Sequence, residues 1–278
     1  MKKLFLFAVS VLLVTSCTNN GAVKNEKSVA VAETLSFNVG ELNVVWIQDN
    51  LGERLMPVQL FANADSVLID SLGVRNGVPA SMSAYLVQVD GKKLLFDTGN
   101  GGANGYLVRR LDSLGIKPGD IDYLFITHFH GDHIGGMLDG DSVVFGNAQV
   151  YASQMEYSAW IDSMPAERNG MQVKTMQKYA DRLHLFNFGD TLPMGVVAID
   201  SKGHTPGHSS YLCGKLLVVG DIMHGASLQL VNPEICASFD SDKPSAITSR
   251  KNMLKLASDN GYVMVGMHMP QLTEDMFK

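Results

Sequence analysis

Cysteine is scarce in this chain, three in 278 residues, and lysine or arginine form no cluster anywhere along it. So few cysteines exclude a small scaffold stapled by disulfides. A net charge of −6 and a pI near 5.7 leave no basic face for a phosphate backbone, so no nucleic-acid partner is expected. No apolar run is long enough to span a bilayer, and no segment repeats with a period of 20–50 residues. What the chain does have is apolar residues, at 46% hydrophobic, enough for a sizeable core in one domain.

The first stretch reads as a targeting segment. Lys2 and Lys3 precede an apolar run, Leu4–Thr15, of the length expected of a secretory signal. Val14-Thr15-Ser16-Cys17 then resembles a bacterial lipobox, in which small residues precede a cysteine that is lipidated and becomes the mature N-terminus. The expected organisation is a lipoprotein-type signal peptide over 1–16, a polar tether over 17–36 and a single domain over 37–278. That places the protein outside the cytoplasm, lipid-anchored through Cys17 in a bacterial cell envelope, on the periplasmic or cell-surface side. The alternative is an ordinary signal peptide cut near Ser16. An exported chain permits a disulfide between Cys213 and Cys236, although two buried thiols are the commoner outcome for such a pair.

The densest chemical signal is Tyr123–Met137, Y-L-F-I-T-H-F-H-G-D-H-I-G-G-M. A run of β-formers ends abruptly in His128, His130, Asp132 and His133, four potential metal ligands within six residues. Gly131, Gly135 and Gly136 allow the tight backbone path that a metal site needs. A solvated polar loop with stray histidines is the plainer alternative.

Around this stretch the pattern predicts many strands and a few helices. Strands or hairpins are expected over Phe37–Gln48, Ser83–Val89 with Leu94–Phe96, Gln149–Ala152, Val196–Ser201, Ser209–Cys213, Leu216–Val219 and Tyr262–Val265. Helical spacing covers Asn104–Leu114 and Pro244–Ser258. Asp49–Ser81 lacks periodicity and is long enough to be a lid. Residues 154–183 read as helix broken near Pro165 and Gly170, with Met155, Met164, Met171 and Met176 as core filling or as the lining of an adaptable pocket. Such a pattern implies two packed sheets with helices outside. Three more ligand types stand at strand ends: His204 in Lys202–His208, Asp221 after Leu216–Gly220, and His268 after Tyr262–Val265. Each alone suits a hydrogen-bonded structural residue.

Together with Asp97-Thr98-Gly99, these motifs (T-H-F-H-G-D-H-I-G-G, G-H-T-P-G-H, V-V-G-D and G-M-H) make the chain resemble the metallo-β-lactamase superfamily. The resemblance implies an α/β fold, an αββα sandwich, with a dinuclear centre at one edge. It implies that His128, His130 and His204 hold one metal, that Asp132, His133 and His268 hold the other, and that Asp221 bridges them. Asp97 would orient a ligand imidazole, and His208 would be structural. Two divalent ions are implied, with Zn²⁺ the default for a mostly imidazole set and Mn, Fe or Co also suited to nitrogen and oxygen ligands.

The chemistry implied is hydrolysis of an ester-like bond by a metal-bridging hydroxide, with Asp132 taking and returning the proton. A carboxylate at Asp221 where zinc β-lactamases carry Cys disfavours β-lactams, and His130 stands where flavodiiron proteins carry Glu. The region from Asp221 through Gln229-Leu230, Phe239–Asp242 and Thr248-Ser249-Arg250 resembles the lactonase and methyl parathion hydrolase-like group. Bacillus-type acyl-homoserine lactonases place a Tyr three residues after the bridging Asp, where this chain has His224. His224 either donates a hydrogen bond to substrate or buttresses the site. A small-molecule lactone or carboxyl ester is the expected substrate, with a phosphoester or phosphotriester second. A mononuclear-iron sulfur dioxygenase and a non-catalytic binding lipoprotein are the readings from other classes. Relatives in this group often dimerise, so a homodimer is implied by resemblance alone.

Overall fold

A computed structural model describes residues 33–270. The signal peptide, Cys17 and the tether as far as residue 32 lie outside the described residues. Seven strands form one sheet in chain order: β1 (Thr34–Val39), β2 (Leu42–Gln48), β3 (Ser83–Val89), β4 (Lys92–Phe96), β5 (Tyr123–Phe125), β6 (Gln149–Ser153) and β7 (Leu183–Phe186). The first four pair antiparallel, and β4 to β7 run parallel. A second sheet is β8 (Val197–Asp200), β9 (Ser209–Cys213), β10 (Leu216–Val218) and β11 (Val263–Val265). β1 begins at Thr34, inside the stretch expected as tether.

Alternation along β2 shows how the layers form. Val44 and Trp46 pack with Tyr211, Leu216 and Val218 of the second sheet, while Val45 and Ile47 point the other way, against Leu107, Leu111 and Met176. Successive strand side chains face opposite sides, so a strand buried on both faces must be apolar throughout. Burying a side chain of this size contributes about 1.5–3 kcal/mol. Helices Leu107–Ser113 and Gly170–Lys178 cover the outer face of the first sheet. Helix Lys243–Asn260 covers the second through Met253 and Ala257, which meet Leu217 and Val219. Its start is capped by Asp242, whose carboxylate accepts from the Ser245 N–H, and its end by Gly261 at φ +63°. The order of layers is helix, sheet, sheet, helix. Among the described residues no helix is long and apolar enough to cross a membrane.

Two segments depart from the sequence pattern. The presumed lid is not formless: Arg54–Met56 pairs antiparallel with Val78–Ala80, and helix Ser66–Ser71 packs over a small core of Met56, Phe61 and Val78 with Leu228 and Ile235. After β6, helix Gln154–Tyr157 widens into a π-helical stretch, Ser158–Asp162. Met176 is core, whereas Met155 and Met171 are exposed and do not fill the interior. Cys213 and Cys236 are buried free thiols.

Candidate metal centre

Every cluster residue follows the C-terminal end of a strand, all at one edge of the sandwich. β5 leads through Ile126 and Thr127 to His128 and His130, then into the short helix Gly131–Ile134 that carries Asp132 and His133. β8 leads to His204, β10 to Asp221 and β11 to His268. The two sheets are tied here, since Tyr211 Oη donates to Ile126 O at 2.6 Å and Ser209 N to Thr127 O at 2.9 Å. Gly135 and Gly136 are required by packing. A Cβ on Gly136 would sit 2.0 Å from Thr98 O, and one on Gly135 2.2 Å from Asn100 O. The loop therefore lies directly on the Asp97–Asn100 backbone.

Asp97 takes the left-handed conformation at φ +57°, uncommon for a residue with a side chain. Held so, its carboxylate accepts from Thr127 N at 2.8 Å and Thr127 Oγ1 at 2.7 Å, and meets His133 Nδ1 at 2.7 Å. Three other rings are tied similarly: His128 Nδ1 to Thr127 Oγ1 (3.0 Å), His204 Nδ1 to Asp240 Oδ1 (3.1 Å) and His268 Nδ1 to Ser81 O (3.0 Å). With one ring nitrogen fixed outward, the other is fixed inward.

Inside, the structure brings all seven residues together. His130 Nδ1 stands 2.9 Å from both His128 Nε2 and His204 Nε2. Beside this trio, His268 Nε2 is 3.3 Å from Asp132 Oδ2, and His133 Nε2 is 3.8 Å from Asp132 Oδ1. Asp221 Oδ2 lies between the two groups, 3.1 Å from His268 Nε2, 3.2 Å from His133, 3.5 Å from His204 and 3.8 Å from His128. His224 Nε2 joins it from a fifth side at 3.0 Å.

The charges are strongly coupled. Burial raises the Asp221 carboxyl, but His133, His268 and His224 outweigh it and hold the acid well below its usual range. Burial likewise depresses His268, yet Asp221 and Asp132 lift it to about 10, and Asp221, Asp97 and Asp132 lift His133 well above its ordinary value. His128 is driven well below the usual imidazole value and His130 to about 4, both first by burial. Two ionised carboxylates, Asp221 and Asp132, are thus balanced by two protonated imidazoles, His133 and His268, positive charge that a divalent cation would replace.

This donor set fits divalent cations. Two nitrogens bound tetrahedrally at 2.0–2.1 Å stand about 3.3 Å apart, close to the spacing of the His128, His130 and His204 nitrogens. His133 Nε2 and Asp221 Oδ1 are buried with no hydrogen-bond partner among the described residues, and both belong to the cluster. Ligand atoms of His128, His130 and His204, and of Asp132, His133 and His268, each lie within 4.8 Å of one another. The same holds for Asp221 with His128 and His133, and with His204 and His224.

The metallo-beta-lactamase superfamily model matches residues 78–268. The chain belongs to this superfamily. Among solved structures of the superfamily fold, it superposes on the hydrolase AbOPH with a TM-score of 0.76 at 26% identity, covering 86% of this chain and 91% of that one. It also superposes on AidC, a dizinc quorum-quenching lactonase in complex with a homoserine product, with a TM-score of 0.77 at 24% identity, covering 87% and 92%. A metallo-hydrolase of Methanocaldococcus jannaschii, named as probable, is 26% identical over 165 residues, 59% of this chain. The match spans 66% of that relative, just under two thirds of its length.

Three residues that support the site of this superfamily member had no role assigned from the sequence, although Asp240 and Arg250 lay in stretches that carried the resemblance. Asp240 holds His204, and Arg250, fully buried, lies 3.7 Å behind Asp240. Glu156 ties the two histidine loops, accepting from Phe129 N and from Thr205 Oγ1 and Gly207 N. His208 stays outside the cluster, meeting Ser201 Oγ through Nδ1 and accepting from Asp221 N through Nε2. A cavity of about 190 Å³ opens over His130, Asp132, His204, Asp221, His224 and His268, walled by Arg54, Met56 and Phe239. A larger one of about 500 Å³ adjoins it, sharing Arg54, Met56 and Phe239 and lined otherwise by residues between 50 and 60.

Proposed function

We propose that the protein is a metal-dependent hydrolase that cleaves a lactone or carboxyl ester of a small molecule. His128, His130 and His204 would hold one divalent ion, Asp132, His133 and His268 a second, with Asp221 shared and Zn²⁺ the default metal. The observation that carries this is Asp221 Oδ2, within 3.8 Å of imidazole nitrogens from both groups at once. Bound, such ions supply Lewis acidity and lower the pKa of water towards about 7, which provides the nucleophile.

The chain's own residues do the rest. The cavity admits the substrate carbonyl over His130 and Asp132. Asp132, less buried than its neighbours and braced by His268, takes the proton from the attacking water and returns it to the departing alkoxide. Water plus ester gives acid plus alcohol, with no serine or cysteine required. Asp97, Asp240 and Ser81 O hold the imidazoles so that little reorganisation accompanies the reaction.

The basic start, the apolar run and Cys17 support export and lipid anchoring in a bacterial envelope as part of the same proposal. Metal analysis of the purified chain, followed by a panel of lactones, aryl esters and phosphotriesters, tests it. About two ions per chain with lactone or aryl ester turnover is the expected result. One iron per chain, turnover of phosphotriesters alone, or no turnover with metal restored would overturn it.

A further inference from the structure

Arg54 stands at the junction of the two cavities, lining both. Its backbone is held by pairing with Ala80 in the short two-stranded sheet, so the side chain projects from a fixed base. A guanidinium offers five N–H donors. Here Nη1 meets the thioether of Met82 at 2.8 Å, a weak acceptor, and no carboxylate pairs with Arg54 among the described residues. Other arginines are engaged differently. Arg250 gives its donors to the carbonyls of Ile222, Pro233 and Ile235, and Arg110 pairs with Glu33 at 2.9 Å. Those side chains support the fold, whereas Arg54 is half-buried beside the cluster with most of its hydrogen-bonding capacity unspent.

We infer that Arg54 selects substrates carrying a carboxylate near the scissile ester, gripping it while the ester carbonyl lies over the histidine cluster. A planar fork of N–H groups matches the two oxygens of a carboxylate, and a neutral chain leaves that match unused. The inference rests on the hydrolase reading for its substrate, but not for its binding test.

That test is calorimetric titration of the zinc-loaded protein with glutarate and with butyrate. Each has one carboxylate for the metal-binding cluster, and only glutarate has a second. Glutarate should bind about tenfold tighter, and Arg54→Met should abolish the difference while Arg54→Lys keeps part of it. Arg54→Gln serves if Arg54→Met fails to fold, as judged by its thermal transition. In turnover, kcat/KM of Arg54→Met should fall about tenfold further for monomethyl glutarate than for methyl butyrate. Equal binding of the two acids by the parent, or a preference that survives Arg54→Met and Arg54→Gln, overturns the inference. Failure to hydrolyse any lactone, aryl ester or methyl ester, with the glutarate preference intact, overturns the hydrolase reading instead.

Discussion

The carboxylate of Glu156 accepts a hydrogen bond from the backbone N–H of Gly207 at 2.9 Å, and a Cβ on that glycine would sit 2.0 Å from Glu156 N. The same carboxylate takes the Phe129 N–H at 2.9 Å and the Thr205 hydroxyl at 2.8 Å. One buried acid therefore fixes the loop bearing His128 and His130 relative to the loop bearing His204. Glu156→Ala should strand these donors and destabilise the fold by about 2–4 kcal/mol in urea unfolding. It should also weaken metal binding about tenfold in chelator competition, because the trio loses its alignment. A variant within experimental error of the parent on both measures would reduce Glu156 to a bystander.

Asp221 Oδ2 lies within 3.8 Å of ring nitrogens of His128, His133, His204 and His268, so its loss should cost more metal than the loss of any one histidine. Asp221→Ala should fall from about two bound ions to one or none per chain, and His130→Ala to about one. Both should lose turnover by orders of magnitude while keeping parental far-UV circular dichroism. Full metal content in Asp221→Ala, measured by elemental analysis, would refute the shared-ligand role.

Protons and cations compete for this cluster. His133 and His268 have raised pKa values in the metal-free protein, so their favourable contribution is full below the ordinary value of 6.5. For His268 it is lost only as the pH rises through about 10. A bound cation needs both rings unprotonated on the nitrogen it takes. Loading metal at pH 7 should thus release about two protons per chain, read as the dependence of binding heat on buffer ionisation enthalpy. Affinity should decline steadily as the pH is lowered. Heats independent of buffer would mean that these rings are already neutral.

Much of this was legible because strands buried on both faces leave long apolar runs. Val44–Ile47, Leu94–Phe96 and Leu216–Val219 are such runs, and Asp221 sits just past the last of them as His128 does past Tyr123–Thr127. Local spacing likewise gave helix Lys243–Asn260 to within two residues at either end. What stayed hidden depends on distant partners. Glu156 looks like any helical glutamate, since its partners are backbone groups 27 and 51 residues away. Strands Arg54–Met56 and Val78–Ala80 are too short to show periodicity, and pair across the helix between them. Met176 meets the outer face of the first sheet while Met155 and Met171 are exposed, a division that composition does not encode.

His224 offered two roles in the sequence, and its surroundings favour buttressing over contact with substrate. Burial brings its pKa down to about 4, so the ring is neutral at pH 7 and carries one N–H. Nε2 lies 3.0 Å from Asp221 Oδ2, which only accepts, so that proton belongs on Nε2. Nδ1 is then a bare acceptor, unable to donate to a substrate carbonyl, and it has no partner among the described residues. The backbone reinforces this placement, with His224 N donating to Gln229 Oε1 at 2.8 Å. His224→Ala should therefore weaken metal binding about tenfold to a hundredfold and regain most of its kcat in excess metal, because it acts through Asp221. His224→Gln, whose amide can still donate to Asp221, should lose less. A variant with full metal content and a kcat that excess metal does not restore would put His224 on the substrate after all.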